Sequence, residues 1–169
     1  MNNEDIIILT ELQVEQKLQR IARELLESNY ENPEIVLIGV VKRGVKIANY
    51  LMEILTKISD KKITLLNLKF DKDEPKENLM KLSAERTTLE GKSIVLVDDV
   101  LNSGKTLIHA VSFLVKANIK QLSTVVLVDR KHRLFPVRAD FVGLTLSTTL
   151  KEHIAVVETQ ENKFEVYLK

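Results

Sequence analysis

The sequence has no cysteine and no tryptophan, and only 5% of its 169 residues are aromatic. The absence of cysteine excludes disulfide bonds, thiol catalysis and cysteine-ligated metals. With so few aromatic side chains, the chain offers little material for stacking nucleobases along a single strand. Its formal net charge is +1, so no overall electrostatic field favours a nucleic-acid or membrane partner. Any basic binding surface has to be local.

Long apolar runs are missing as well. No stretch approaches the roughly 20 apolar residues that span a bilayer. The first ten residues carry acids where a signal peptide carries positive charge. We therefore expect a cytoplasmic protein with no membrane partner. The length and the 44% content of apolar residues predict one folded domain over residues 1–169.

Apolar runs and helical periods alternate along the chain. Helical spacing predicts helices over residues 10–28, 44–57 and 104–117. Unbroken β-branched runs predict strands over residues 35–41, 63–70, 93–97 and 123–128, with short strands from residue 139 onward. This order predicts an α/β fold with a central, mostly parallel sheet flanked by helices. Residues 71–90 are polar and lack a helical period, which predicts a long loop.

Two adjacent carboxylates, Asp98 and Asp99, follow the most apolar of the predicted strands, at the sheet edge where α/β proteins bind ligands. They can accept hydrogen bonds from vicinal sugar hydroxyls or lie near a divalent cation. The loop that follows consists of Asn102, Ser103, Gly104, Lys105 and Thr106. Its backbone N–H groups, its hydroxyls and the N-terminus of the next predicted helix suit a phosphate group.

Other interpretations of these residues were weighed. Residues 104–106 match the end of a Walker A motif, but the first glycine of that motif would fall on Asp99, whose carboxylate would repel a polyphosphate. Alternatively, the two acids are solvated charges at the end of a strand, and the loop only caps a helix. The three histidines are scattered and lack the spacing of a metal-ligand set.

Residues 97–106 resemble the phosphoribosyl pyrophosphate (PRPP) signature of the type I phosphoribosyltransferases. Residues 39–45 are similar to the pyrophosphate loop of that family. Residues 126–143, and the predicted helix around residues 19–23, look closest to its PyrR branch, the pyrimidine-operon regulators that also have uracil phosphoribosyltransferase activity. The resemblance implies the single-domain fold of this family, with a mobile lid at about residues 71–90 and a small hood. It also implies that a nucleobase replaces the pyrophosphate of PRPP, giving a nucleoside monophosphate, with Mg²⁺ as cofactor.

The resemblance assigns a role to each motif residue. The catalytic residues would be Asp98, Asp99 and Arg43. The two acids would contact the ribose hydroxyls and are also candidate Mg²⁺ ligands. The 5-phosphate would bind Asn102, Ser103, Gly104, Lys105 and Thr106. The pyrophosphate would bind Val41, Lys42, Arg43 and Gly44. Lys72 and Lys76 would reach the pyrophosphate from the lid, and Asp129 and Arg130 would frame the base pocket.

Base choice and RNA binding also follow from the resemblance. Asn102 stands where purine-specific relatives usually carry an acid that acts on the purine ring, which favours uracil over hypoxanthine or guanine. The resemblance favours a phosphate-binding patch for an mRNA leader on four basic residues: Arg20, Arg23, Arg133 and Arg138. The alternative function is therefore a nucleotide-sensing RNA-binding attenuator with little turnover. Alternatively, residues 130–138 form a solvated loop whose first residues frame the base pocket. Members of the family commonly form homodimers or homotetramers.

Overall fold

The computed structural model describes residues 5–147 and 152–169. Its strands are β1 (Ile6–Leu9), β2 (Glu34–Val40), β3 (Lys62–Lys69), β4 (Lys81–Leu82), β5 (Ser93–Leu101), β6 (Gln121–Asp129), β7 (Phe141–Thr145), β8 (Ile154–Gln160) and β9 (Lys163–Leu168). Its α-helices are α1 (Glu11–Ser28), α2 (Val41–Ile58) and α3 (Lys105–Val115). A capping box between Thr10 and Gln13 fixes the start of α1.

The larger sheet has six strands in the order β4-β3-β2-β5-β6-β7. Strands β3, β2, β5, β6 and β7 run parallel, and only the short β4 is antiparallel to its neighbour. The central strands are continuous Ile, Val and Leu runs because both faces of a parallel sheet are covered. The predicted α/β fold with a mostly parallel central sheet is confirmed.

The two faces of this sheet carry different cores. Helices α1 and α2 cover one face and pack on residues such as Leu37, Val95 and Leu127. Helix α3 covers the other face and packs on residues such as Ile38 and Leu96. Because parallel strands all end at one edge, this sandwich brings the carboxyl ends of β2, β5 and β6 together.

A second, antiparallel sheet joins the two ends of the described chain in the order β1-β9-β8. Ile6 pairs with Leu168, and Ile154 pairs with the same residue from the other side. The inward side chains Ile154, Val156 and Phe164 belong to the apolar core beneath α1 and α2. This small sheet occupies the place of the expected hood, beside the ligand-binding edge of the larger sheet.

Residues 71–90 hold more structure than the sequence predicts. They contain two short 3₁₀ helices (Glu77–Leu79 and Arg86–Leu89) and strand β4. Met80 and Leu89 are buried in the core under α3, and the Arg86 guanidinium lies 4.1 Å from the centre of the Phe113 ring. These anchors fix the second half of the segment.

Two further boundaries differ from prediction. Helix α2 begins at Val41, directly after β2, rather than at Gly44. Strand β5 continues to Leu101, so Asp98 and Asp99 lie inside the strand rather than after it. None of the helices in the described parts of the chain has the length and hydropathy of a membrane span.

Candidate active site

The acid pair lies at the centre of the ligand-binding edge. Asp98 pairs in register with Val126 of β6, and the residue before it, Val97, pairs with Gly39 of β2. Because β5 has a neighbour on each side, both carboxylates are buried, with only 3% of Asp98 and 7% of Asp99 exposed. The Asp99 backbone N–H donates to Asp98 Oδ1 over 2.9 Å. These acids are therefore not solvated charges at the end of a strand.

Two cations compensate the buried pair. The Lys72 ammonium lies 2.9 Å from Asp98 Oδ1 and 3.5 Å from Asp99 Oδ1. The Arg43 guanidinium lies 3.7 Å from Asp99 Oδ2. Burial, with repulsion from Asp99, raises the pKa of Asp98 to about 7 although Lys72 opposes this. Burial also opposes charging of Lys72, but attraction to the two acids outweighs it and raises the pKa of Lys72.

The loop from Asn102 to Thr106 turns β5 into α3. Gly104 has a φ of +85° and is the N-cap of α3. A Cβ there would lie 2.5 Å from Cγ1 of Val137, so this turn needs glycine for both conformation and space. The Lys105 N–H donates to the Ser103 hydroxyl over 3.3 Å, while the N-cap residue Gly104 makes no side-chain capping hydrogen bond. The first turn of α3 thus offers backbone donors to an anion.

The predicted pyrophosphate loop is the first turn of α2. Val41 has a φ of +46°, a strained value for a β-branched residue, and it turns the chain from strand to helix without a loop. Lys42 and Arg43 follow and are exposed. A Cβ on Gly44 would lie 2.5 Å from the carbonyl oxygen of Val97. This glycine therefore lets α2 approach β5 directly beside the acid pair.

One cleft collects the predicted acid and phosphate residues. It has a volume of about 190 Å³ and is lined by Arg43, Lys72, Asp98, Asp99, residues 100–107, Val126, His153 and Ile154. Lys76 instead pairs with Glu74 over 3.2 Å, and both side chains are exposed. His153 also lines the cleft. The sequence alone does not single it out, because an isolated histidine carries no signal of its own.

Asp129 and Arg130 lie at the end of β6 beside this cleft. The Arg130 guanidinium donates to Asn102 Oδ1 over 2.9 Å and to the Glu152 carbonyl over 2.6 Å. Asp129 accepts from the Lys131 backbone N–H over 2.9 Å and pairs with Arg133. Arg130 therefore ties the predicted base-pocket segment to the first residue of the phosphate loop.

The four predicted RNA-binding arginines are in different environments. Arg20 on α1 is held by Glu24 over 2.7 Å and by the Val142 carbonyl over 2.7 Å. Arg23 donates to the Gln19 carbonyl over 3.0 Å, and Arg133 pairs with Asp129. The guanidinium groups of Arg20 and Arg133 are thus engaged in ion pairs. Arg20, Arg23 and Arg138 are exposed, and Arg133 is half-buried. The α1 surface around Arg20 and Arg23 also carries Glu15, Glu24 and Glu27.

Mg²⁺ fits the acid pair as a site shared with a ligand. Within residues 5–147 and 152–169, no group of three or more His, Cys, Asp or Glu side chains is arranged to hold a metal ion. Mg²⁺ in phosphate-handling sites is commonly held by one or two carboxylates together with substrate oxygens and water. Asp98 and Asp99 supply such carboxylates.

Comparison with known proteins agrees with this geometry. The family profile of the phosphoribosyl transferase domain matches residues 7–162. The proteins named "Bifunctional protein PyrR" include one from Haemophilus ducreyi, 33% identical over 90% of this chain and 89% of the relative, and one from a Geobacter species, 36% identical over 95% and 94%. A third, from Enterococcus faecalis, is 37% identical over 85% of this chain and 84% of the relative.

Solved structures with the same fold include two purine enzymes. A hypoxanthine-guanine phosphoribosyltransferase from Bacillus anthracis superimposes with a TM-score of 0.73 at 20% identity, covering 98% of both chains. The hypoxanthine phosphoribosyltransferase of Trypanosoma cruzi gives a TM-score of 0.75 at 18% identity, covering 95% of this chain and 94% of the other. The chain belongs to the phosphoribosyltransferase family, and within it to the PyrR group.

Proposed function

We propose that this protein transfers the 5-phosphoribosyl group of PRPP to uracil, forming UMP and pyrophosphate. One observation carries the proposal: the buried pair Asp98 and Asp99 shares a cleft with the uncapped N-terminus of α3 and with Arg43 at the start of α2. A phosphorylated pentose with an anionic leaving group needs these three features. The N-terminus of α3 is the anion site, the acid pair accepts hydrogen bonds from vicinal hydroxyls, and Arg43 supplies a cation for the leaving group.

Each element of the cleft has a defined task in this reaction. Backbone N–H groups of residues 103–106 bind the 5-phosphate, and the two carboxylates accept hydrogen bonds from the ribose hydroxyls. Lys42 and Arg43 stabilise the negative charge that develops on the departing pyrophosphate. Mg²⁺ bound with PRPP would add positive charge at the same group. Catalysis then comes from orientation and charge stabilisation, because no covalent intermediate with the protein is required.

Uracil is favoured by Asn102, the residue that follows β5. Asn102 cannot accept a proton at neutral pH, so it cannot do the work of an acid on a purine ring. Its amide oxygen is also occupied by Arg130 over 2.9 Å. The names of the PyrR relatives agree with pyrimidine chemistry. The two purine enzymes described above share 20% identity or less with this chain, so their similarity supports the fold and not the choice of base.

Formation of UMP from uracil, PRPP and Mg²⁺ tests the proposal. We expect the Asp98→Asn, Asp99→Asn double variant to lose activity by on the order of 100-fold or more, because the acceptors for the ribose hydroxyls become amides. Asp60→Asn is the matched control, since Asp60 is exposed and precedes β3 at the opposite edge of the sheet. Turnover by the wild-type protein with hypoxanthine but not uracil would overturn the choice of base.

RNA binding is the second function that we propose, as an attenuator acting on a pyrimidine-operon leader. Arg23 and Arg138 are exposed, and Arg20 connects α1 to β7, the strand that follows Arg138, through the Val142 carbonyl. These contacts place α1 beside β7 and support one surface for RNA phosphates. A filter-binding titration across salt concentrations tests it. We expect Arg23→Ala with Arg138→Ala to reduce the salt dependence of log K by about 2, one per lost phosphate contact.

Location and assembly complete the proposal. We infer that the protein works in the cytoplasm, where PRPP and free uracil are available. We also propose that the protein forms a homodimer or homotetramer. Sedimentation equilibrium would test this, and a measured mass equal to that of the monomer would contradict it.

A further inference from the structure

The acid pair already holds a cation of its own. Lys72 Nζ lies 2.9 Å from Asp98 Oδ1 and 3.5 Å from Asp99 Oδ1. Its side chain is 34% exposed, compared with 54% for Arg43, so the ammonium group is drawn into the cleft. Lys72 is held there although it belongs to a polar surface segment, because two buried carboxylates without a cation would repel each other strongly.

Asp73, the residue after Lys72, is also bound to the site. The Lys105 ammonium, on the phosphate loop, donates to the backbone carbonyl of Asp73. Consecutive residues of the lid are thus attached to the acid pair and to the phosphate loop. The remaining cavity of about 190 Å³ is smaller than the roughly 300–1,000 Å³ of common ligand pockets. Of the lid segment, Lys72 lines this cavity, so its side chain takes up part of the space that the proposed substrate would occupy.

The contacts of Lys72 coincide with those that the substrate needs. Asp98 Oδ1 accepts from Lys72 and from the Asp99 N–H, and Asp99 Oδ1 faces Lys72 while Asp99 Oδ2 faces Arg43. A ribose hydroxyl or divalent cation that binds Asp98 Oδ1 or Asp99 Oδ1 therefore competes with the Lys72 ammonium for that oxygen. We propose that Lys72 is an internal counter-ion that holds residues 71–76 over the cleft when no ligand is bound, and that PRPP with its divalent cation displaces it. We call this arrangement of residues 71–76 the latch.

This inference rests on the proposed function, and its first test needs no ligand. Hydrogen–deuterium exchange of a peptide covering residues 71–79 compares the wild-type protein with Lys72→Met and with Lys76→Met. We expect exchange in the ligand-free Lys72→Met variant to be about fivefold faster or more, because an ammonium paired with two buried carboxylates holds the segment more strongly than an exposed ion pair does. Lys76→Met is the matched control, because Lys76 pairs only with exposed Glu74 in the contacts described above, and its exchange should equal that of the wild type.

Titration calorimetry with PRPP and Mn²⁺ provides the second test. If Lys72 competes with the ligand, Lys72→Met binds PRPP about fivefold more tightly than the wild type. Weaker binding would overturn the latch and assign Lys72 to the pyrophosphate instead. Exchange that is unchanged in Lys72→Met would overturn it independently. If the wild-type protein bound no PRPP, the proposed function would fail, while the exchange experiment would still decide whether Lys72 holds the lid.

A folding defect must be separated from release of the lid. Lys72→Met leaves Asp98 and Asp99 without their closest cation, which could destabilise the sheet edge. The double variant Lys72→Met, Asp98→Asn removes one carboxylate together with the ammonium and so avoids that repulsion. We expect it to melt cooperatively and to show the same faster exchange over residues 71–79. Wild-type exchange rates in this double variant would refute the latch.

Discussion

A single methyl group at Gly44 should separate the catalytic groups without removing any of them. A Cβ at this position would lie 2.5 Å from the Val97 carbonyl oxygen, 3.1 Å from Asp98 Cα and 3.4 Å from Asp98 Oδ1. Since real Cβ atoms essentially never approach closer than 3.0 Å, helix α2 must retreat from β5 by at least 0.5 Å. The atoms in the way belong to backbone at the centre of the sheet, so they cannot swing aside.

The movement acts directly on the site. Arg43 would move with α2 away from Asp99, and the first turn of α2 would no longer face the leaving group. Misplacement of about 1 Å can cost on the order of 100-fold in rate, so we expect Gly44→Ala to lower kcat/KM for UMP formation by about 10- to 100-fold. Overpacking of this kind typically also costs about 1–3 kcal/mol in the free energy of unfolding.

Gly91→Ala is the matched control for this experiment. A Cβ on Gly91 meets nothing within 4 Å, but its φ is +68°, so alanine there costs about 1 kcal/mol of backbone strain and nothing at the site. We expect Gly91→Ala to lower the melting temperature while kcat/KM stays unchanged. The reasoning would be refuted if Gly44→Ala folded normally and kept kcat/KM within twofold of the wild type.

Three further perturbations test the electrostatics around the cleft. The pKa of Asp98 is raised to about 7 in the folded state. Between about pH 4 and 7 this carboxyl therefore holds more protons in the folded protein than in the unfolded chain, so its contribution to the free energy of unfolding falls as pH rises. In urea titrations, the stability of Asp98→Asn relative to the wild type should increase from pH 5 to pH 8, and a constant difference would contradict this. Arg130→Met leaves the amide oxygen of the Asn102 side chain and the backbone carbonyl of Glu152 without this donor. It should lower the free energy of unfolding by about 1–3 kcal/mol in the same assay. An unchanged urea midpoint would contradict this. Arg43→Ala should lower kcat/KM for PRPP about tenfold, because the guanidinium acts on the charge that develops on the leaving group. The melting temperature should stay unchanged, since this side chain is 54% exposed. Steady-state kinetics with an unaltered kcat/KM would exclude that role.

Local patterns were sufficient for the parallel sheet. The strands β2, β3, β5 and β6 are apolar runs whose cores were predicted to within a few residues, because burial of both faces leaves a continuous signal. The family resemblance, carried by residues 97–106 and 39–45, is confirmed by the match over residues 7–162. The predicted acid and phosphate residues also line one cleft, although their individual roles stay predictions.

Non-local contacts could not be derived in the same way. The pairing of Ile6 with Leu168 joins opposite ends of the chain, and no local period encodes a partner at that separation. The contact of Lys72 with Asp98 joins residues that are 26 positions apart, and no local period encodes it. The direct passage from β2 into α2 depends on the positive φ of Val41, which is not expected for valine.

Calorimetric titration of PRPP in the presence of Mg²⁺ tests most directly whether the buried acids and the N-terminus of α3 together bind a phosphorylated pentose. The account predicts saturable binding to the wild-type protein. It also predicts at least 100-fold weaker binding to a folded Asp98→Asn, Asp99→Asn variant, with Asp60→Asn unchanged. Equal affinity in the double variant and the wild type, or no binding to the intact wild-type protein, would contradict it.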